Sequence, residues 1–325
     1  MSTIFEDAQE IQEIRKISKE LKKASVTMTK EEARDLVDLY YITQKDRIRA
    51  NNQIAAIHKP HKDWEKEVSK LTHQVEKGNA TQEELDELIK QEPIIEPHKT
   101  LDYFLKTYLA NEKDMKACLE IYAKSKPIGR WLLSITGIGP VIAAGLIAHI
   151  DISKVQTAGQ IQAFGGLDPN RMTWKKGEKR PWNASLKTLY WKIGQSFVKT
   201  SNRESDIYGK IYQERKAYEK EKNENLEYLD QALDIVKTRK WTEKTMWMKE
   251  IYETGMLPDC HIAARAARYA TKRFLSHFFD VYYEMYHHEK PPKPYPIAQL
   301  GHAHMVPAPN WPMDITEDEL ELFNE

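Results

Sequence analysis

Residues 132–150, LLSITGIGPVIAAGLIAHI, constrain this chain more than any other stretch. No charged side chain interrupts them, although 30% of the whole chain is Asp, Glu, Lys or Arg. Gly137 and Gly139 bracket Ile138, and Pro140 opens a run in which Val141, Ala144, Leu146 and Ile147 recur at near-helical spacing. Glycine tolerates the positive φ of a tight turn, and proline suits the first turn of a helix. The pattern predicts a helix ending near Ile135, a hairpin at Thr136–Gly139 and a second helix from Pro140, which is a helix-hairpin-helix. Main-chain N–H groups at the start of that second helix have no intrahelical acceptor, and glycines leave room for a phosphate to reach them. The competing reading is a buried turn between two core helices. A run of about 19 residues barely spans a bilayer. Its glycines, its proline and the terminal His149 favour a buried helix pair over a membrane span.

The length of 325 residues allows two domains, or one core with an extended helical arm. Only 13 glycines alongside so much charge points to helices rather than sheets. Cys118 and Cys260 are too few for a disulfide framework, so a cytoplasmic setting is expected. Glu and Lys are strewn through the first thirty residues, which predicts neither a signal segment nor a membrane anchor. The formal net charge is zero, which argues against a generally basic nucleic-acid binder. Its distribution says more. Residues 151–220 hold 14 Lys and Arg against 7 Asp and Glu, while 221–325 hold 12 against 18, so positive charge is concentrated just after the hairpin.

The expected architecture is all-α: an extended, coiled-coil-like arm over 1–110, a helical domain containing the hairpin over 111–290, and a proline-rich tail over 291–325. Residues 4–24 read as a short amphipathic helix. Thr29 to Glu32 and Thr81 to Glu84 each have the spacing of a capping box. The first opens a long helix with Leu36, Leu39, Tyr40 and Ile48 on one side and Arg34, Lys45, Arg47 and Arg49 on the other. Pro60 interrupts it, and Trp64 begins another helix. A further helix from Thr100 runs toward the hairpin. Tyr208 to Lys222 is strongly charged and reads as solvated. Residues 226–254 read as a helical hairpin, and the small-residue helix from His261 continues into an aromatic core segment, Phe274 to Tyr286. Prolines from Pro291 onward predict a tail that wraps along the surface, ending in a short acidic helix capped near Thr316.

After a turn-rich link, Phe164-Gly165-Gly166-Leu167-Asp168-Pro169, comes a loop that carries Arg171, Trp174, Lys175, Lys176, Lys179, Arg180 and Trp182. Lysine and arginine neutralise phosphates, and tryptophan faces stack on unpaired bases. The alternative is a solvated turn whose tryptophans anchor it to the core. A helix from Ala184 follows, flanked by Lys187 and Lys192. His302 and His304 could join His261 or Cys260 on a metal, but their loose spacing favours surface or packing histidines. No metal site and no cofactor is therefore expected. Walker, dinucleotide and hydrolase signatures are not found.

With these residues in view, the chain resembles the bridge-RNA-guided insertion-sequence transposases over the part that follows their RuvC-like domain. Glu32 to Val37 through Arg47 to Ile54 is similar to the start of their arm. Leu133 to Pro140, with Ala143 and Ala144, resembles their hairpin signature. Phe164 to Pro169 resembles the link after it, Asn183 with Leu186-Lys187 the next step, and Ala263 to Leu275 their last helix. The resemblance implies nucleic-acid binding, DNA or RNA, and a dimer or tetramer formed through the arm. Two departures limit it. The family's acidic tetrad belongs to a RuvC-like domain to which no residue here can be assigned. Its nucleophilic serine, expected soon after the link, is absent, and Thr173 is the only hydroxyl in that interval.

The reading adopted is a nucleic-acid-binding, transposase-like protein of a mobile element or phage, without recombinase chemistry. Its contacts would be Gly137, Ile138, Gly139, Pro140, Arg171, Trp174, Lys175, Lys176, Lys179, Arg180, Trp182 and Lys187. One alternative is a recombinase component that uses Thr173 or a partner catalytic subunit. The other is a non-enzymatic scaffold.

Overall fold

The computed structural model describes residues 16–94, 98–168, 174–175, 177–292 and 306–313. Its helices are α1 (Lys30–Ile57), α2 (Lys59–Glu76), α3 (Gln82–Lys90), α4 (Lys99–Lys124), α5 (Pro127–Ser134), α6 (Pro140–His149), α7 (Ala158–Phe164), α8 (Ala184–Thr200), α9 (Ile207–Glu224), α10 (Leu229–Thr238), α11 (Met246–Glu253) and α12 (Asp259–His287). A helical stretch over 16–24 precedes them. The fold is all-α, with no strand among the described residues. No helix among them is long and apolar enough to cross a membrane. The chain divides into two compact units, residues 36–117 and residues 1–35 together with 118–325.

The unit over 36–117 is lightly packed. Its buried side chains include Val37, Thr43, Ala50 and Leu85. Arg47 Nε meets Glu112 Oε1 at 2.5 Å, tying α1 to α4. Trp64 Nε1 donates to the Leu88 carbonyl at 2.8 Å, holding α2 against α3. The Thr81 capping box forms: Thr81 N donates to Glu84 Oε2 at 2.9 Å, and Glu84 N to Thr81 Oγ1 at 3.3 Å. The Pro60 interruption falls earlier than the sequence suggests. The helices part at His58, and Pro60 lies in the first turn of α2, where its missing N–H costs nothing.

The other unit is organised by α12, which packs against α5, α7, α8 and α9. Its aromatic segment is core, as its sequence predicts. Phe274 stacks on Trp131 of α5 with ring centroids 6.2 Å apart and lies edge-on to Phe197 of α8 at 5.5 Å and Tyr208 of α9 at 5.3 Å. Trp131, Phe197, Tyr208 and Phe274 are all fully buried. Helix α9 is not the solvated element its charge suggests, because Tyr208, Tyr212, Glu219 and Asn223 are buried. Glu219 tolerates this through Arg215 (Nε to Oε1, 2.8 Å), Arg265 of α12 (Nε to Oε2, 2.7 Å) and the Tyr228 hydroxyl (2.5 Å). A buried carboxylate is stable only when paired and hydrogen-bonded in this way.

Helices α10 and α11 form the expected hairpin around Ala232, Tyr252, Leu257 and Ile262, with Trp241 and Met248 against them. Of the tail, residues 306–313 lie along α5 and α12. Trp131 Nε1 donates to the Pro309 carbonyl at 2.8 Å, Asn310 Nδ2 to the Ser134 carbonyl at 3.0 Å, and Trp311 Nε1 to Glu284 Oε2 at 3.0 Å. The acidic helix proposed near Thr316 lies outside the described residues.

Candidate nucleic-acid interface

Helices α5 and α6 stand on either side of a turn at residues 135–139. Ile138 N donates to the Ile135 carbonyl at 3.0 Å, and Gly137 adopts φ +93°, a left-handed conformation that favours glycine. The space around it is also tight. A Cβ on Gly137 would lie 3.0 Å from the Phe197 ring and 3.2 Å from Thr200 Oγ1. Ser196 Oγ donates to the Gly137 carbonyl at 2.5 Å, which pins the inner side of the turn to α8. The outer side differs. Gly139, at φ −95° and ψ 174°, precedes α6 without a side-chain cap, and a Cβ there would meet nothing within 4 Å. The main-chain N–H groups of Gly139, Val141 and Ile142 have no acceptor among the described residues, the first helical hydrogen bond being Ala143 N to the Gly139 carbonyl at 3.0 Å. Ile138 is buried and Pro140 is half-buried. The turn is packed against the core on one side and open at the start of α6 on the other.

The link and basic loop are pinned at both ends. Gly165 lies directly against the Tyr190 ring, where a Cβ would collide at 2.0 Å, and the buried Tyr190 hydroxyl donates to the Ile161 carbonyl at 2.9 Å. Asn183 N donates to the Phe164 carbonyl at 2.9 Å, and Asn183 Oδ1 accepts from Leu186 N at 2.9 Å, closing the loop and capping α8. Within it Trp174 Nε1 donates to the Glu178 carbonyl at 2.7 Å, and Trp174 meets Trp182 edge-on at 5.9 Å. Arg180 lies over Trp174 at 5.4 Å and Lys187 over Trp182 at 3.8 Å. Burial, with Arg180 adding to it, lowers the Lys187 pKa. Both tryptophans are half-buried and each has a cation over its ring; Lys175, Lys179 and Arg180 are exposed. Arg171, Thr173 and Lys176 lie outside the described residues.

The two halves of the interface are not adjacent. The turn touches α8 at Ser196 to Thr200, the loop at Asn183 to Lys187. At 1.5 Å per residue those sites are about 20 Å apart along the helix. One phosphate cannot engage both, so any ligand bridging them spans several nucleotides.

Two residues escaped the sequence reading. Trp191, midway along α8, is 62% exposed. Lys272 of α12 lines a cleft of about 580 Å³ with Gln162, Phe164, Asp168 and Pro181, and burial lowers its pKa against the opposing pull of Asp168. A signal existed for Trp191, which occupies the polar face of an otherwise amphipathic helix. Lys272 had none, since only the crossing of α7 and α12 creates its cleft. His261 is committed to the Tyr252 hydroxyl at 3.1 Å, and no group of three or more His, Cys, Asp or Glu among the described residues is arranged to hold a metal ion. His302 and His304 lie outside those residues.

Residues 129–201 match the family model described as Transposase IS116/IS110/IS902 family. The matched segment runs from α5 through the turn, the link and the loop to the end of α8, so it contains both halves of the candidate interface. Over this segment the chain is transposase-like. No curated protein and no solved structure matches the chain.

Proposed function

We propose that this is a nucleic-acid-binding, transposase-like protein of a mobile element, in which the helix-hairpin-helix formed by α5 and α6 holds a phosphate and the basic loop holds another part of the same strand. The observation that carries this reading is the start of α6: three main-chain N–H groups without acceptors among the described residues, open space at Gly139, and the favourable end of the helix dipole. Lys175, Lys179 and Arg180 supply the positive charge at the far end of α8. The unit over 36–117 joins copies into a dimer or tetramer. No residue is assigned to strand transfer.

Gel-shift titration across salt tests it. Binding at low salt should weaken steeply as salt rises, and the triple reversal Lys175→Glu, Lys179→Glu, Arg180→Glu should abolish it. Gly139→Ala should weaken binding while costing at most about 1 kcal/mol of stability, since the new Cβ meets no neighbour. Binding indifferent to salt and to both variants would remove the proposal.

A further inference from the structure

Helix α8 carries Lys187, Lys192 and Lys199 and no Asp or Glu. Leu186, Leu189, Tyr190, Ile193 and Phe197 fill its buried face. Trp191 stands on the opposite side, flanked by exposed Thr188 and half-buried Gln195. A large aromatic ring in that position leaves most of its surface in water. Trp174 and Trp182, by contrast, are consumed by each other and by Arg180 and Lys187. Trp191 has no ring or cation contact among the described residues, and most of its surface, 62%, is exposed. Along the length of α8 it falls between Ser196 to Thr200, which meet the turn, and Asn183 to Lys187, which meet the basic loop.

A helix of uniformly positive sign repels cationic partners and suits a polyanion. Inside a duplex each base face is covered by its neighbours in the stack, so an indole protruding from a helix can stack there only by unstacking a step. An unpaired base offers that face. We infer that Trp191 is a stacking platform for an unpaired base, so that the strand running along α8 is single-stranded nucleic acid. This rests on the nucleic-acid reading above and narrows its ligand.

The test compares Trp191→Ala, Trp191→Phe and the unaltered protein, by fluorescence anisotropy at low salt, on a labelled single-stranded oligonucleotide and on the blunt duplex of the same sequence. Trp191 is 62% exposed, so both variants should fold. Trp191→Ala should weaken single-strand binding by about 5- to 150-fold and leave duplex binding unchanged, while Trp191→Phe retains most of the affinity. Equal losses on both ligands, or no loss on either, overturn the inference while the wider reading stands. So does unchanged single-strand affinity with an altered sedimentation coefficient, which would make Trp191 a contact between copies. If the unaltered protein binds neither ligand, the wider reading fails and takes this one with it.

Discussion

The unit over 36–117 and the unit built on α12 are made of the same element, the α-helix, but are held by different forces. In the first, helices meet through a few buried side chains and through isolated polar ties such as Arg47 with Glu112 and Trp64 with the Leu88 carbonyl. In the second, α12 carries a continuous aromatic core in which Phe274 touches Trp131, Phe197 and Tyr208. Rigid placement of a turn needs the second kind of support. Gly137, which has no Cβ, holds its left-handed conformation beside the fully buried Phe197 ring.

The contrast breaks most visibly at Trp131. Trp131→Ala removes a fully buried indole, its stack on Phe274 and its hydrogen bond to the Pro309 carbonyl, and should cost about 4 kcal/mol. Urea denaturation would read this as a lower midpoint for the transition of the α12 unit. A loss below about 1 kcal/mol would mean the two units are packed alike.

Acid titration sharpens the comparison next. Burial lowers the His277 pKa to about 4, with Arg273 contributing, while its Nε2 contacts the Val306 carbonyl at 3.1 Å and its Nδ1 the Tyr208 hydroxyl at 2.8 Å. The folded state therefore refuses a proton that the unfolded chain accepts at its ordinary value of 6.5. Stability is intact above pH 6.5 and falls as the pH drops toward 4, by about 3 kcal/mol in all. Asp280 acts in the opposite sense. Burial raises its pKa to about 6, so the folded state takes up a proton before the unfolded carboxyl does, and stability is regained as the pH falls below 6. The two offset each other over much of the same window. Asp280→Asn should be more stable than the parent at pH 7 and should lose stability more steeply between pH 6.5 and 4. Thermal melts across that range decide it, and parallel pH profiles for the two proteins would refute it.

The smallest effect belongs to the lightly packed unit. Arg47→Ala removes an ion pair whose side chains are 27% and 12% exposed, and should cost about 1 kcal/mol or less. Differential scanning calorimetry should show the transition of the α12 unit unmoved. A shift of both transitions would show that the units unfold together.

Much of the architecture was legible because it depends on neighbours along the chain. The capping boxes at Thr29 and Thr81, the stop and start around Gly137 and Pro140, and the aromatic run after Phe274 are local patterns, and each appears where its spacing put it. Helix α9 was misread for a reason equally physical. A charged helix looks solvated until its one buried carboxylate is matched by Arg215 and by an arginine 46 residues away on α12. The same limit governs the interface. Composition marked the residues after the hairpin as basic, yet could not show that Trp174 and Trp182 spend their faces on Arg180 and Lys187, or that Trp191 does not.

The sequence alone determined that this chain is helical, where its turns fall, and where positive charge collects, because helix propensity, glycine conformation and charge are properties of the residues themselves. Only the tertiary structure decided that the turn at Gly137 is closed inward and open outward, and that the turn and the basic loop stand at opposite ends of α8. Those outcomes depend on which surfaces meet when α8 and α12 pack, and no single segment carries that information.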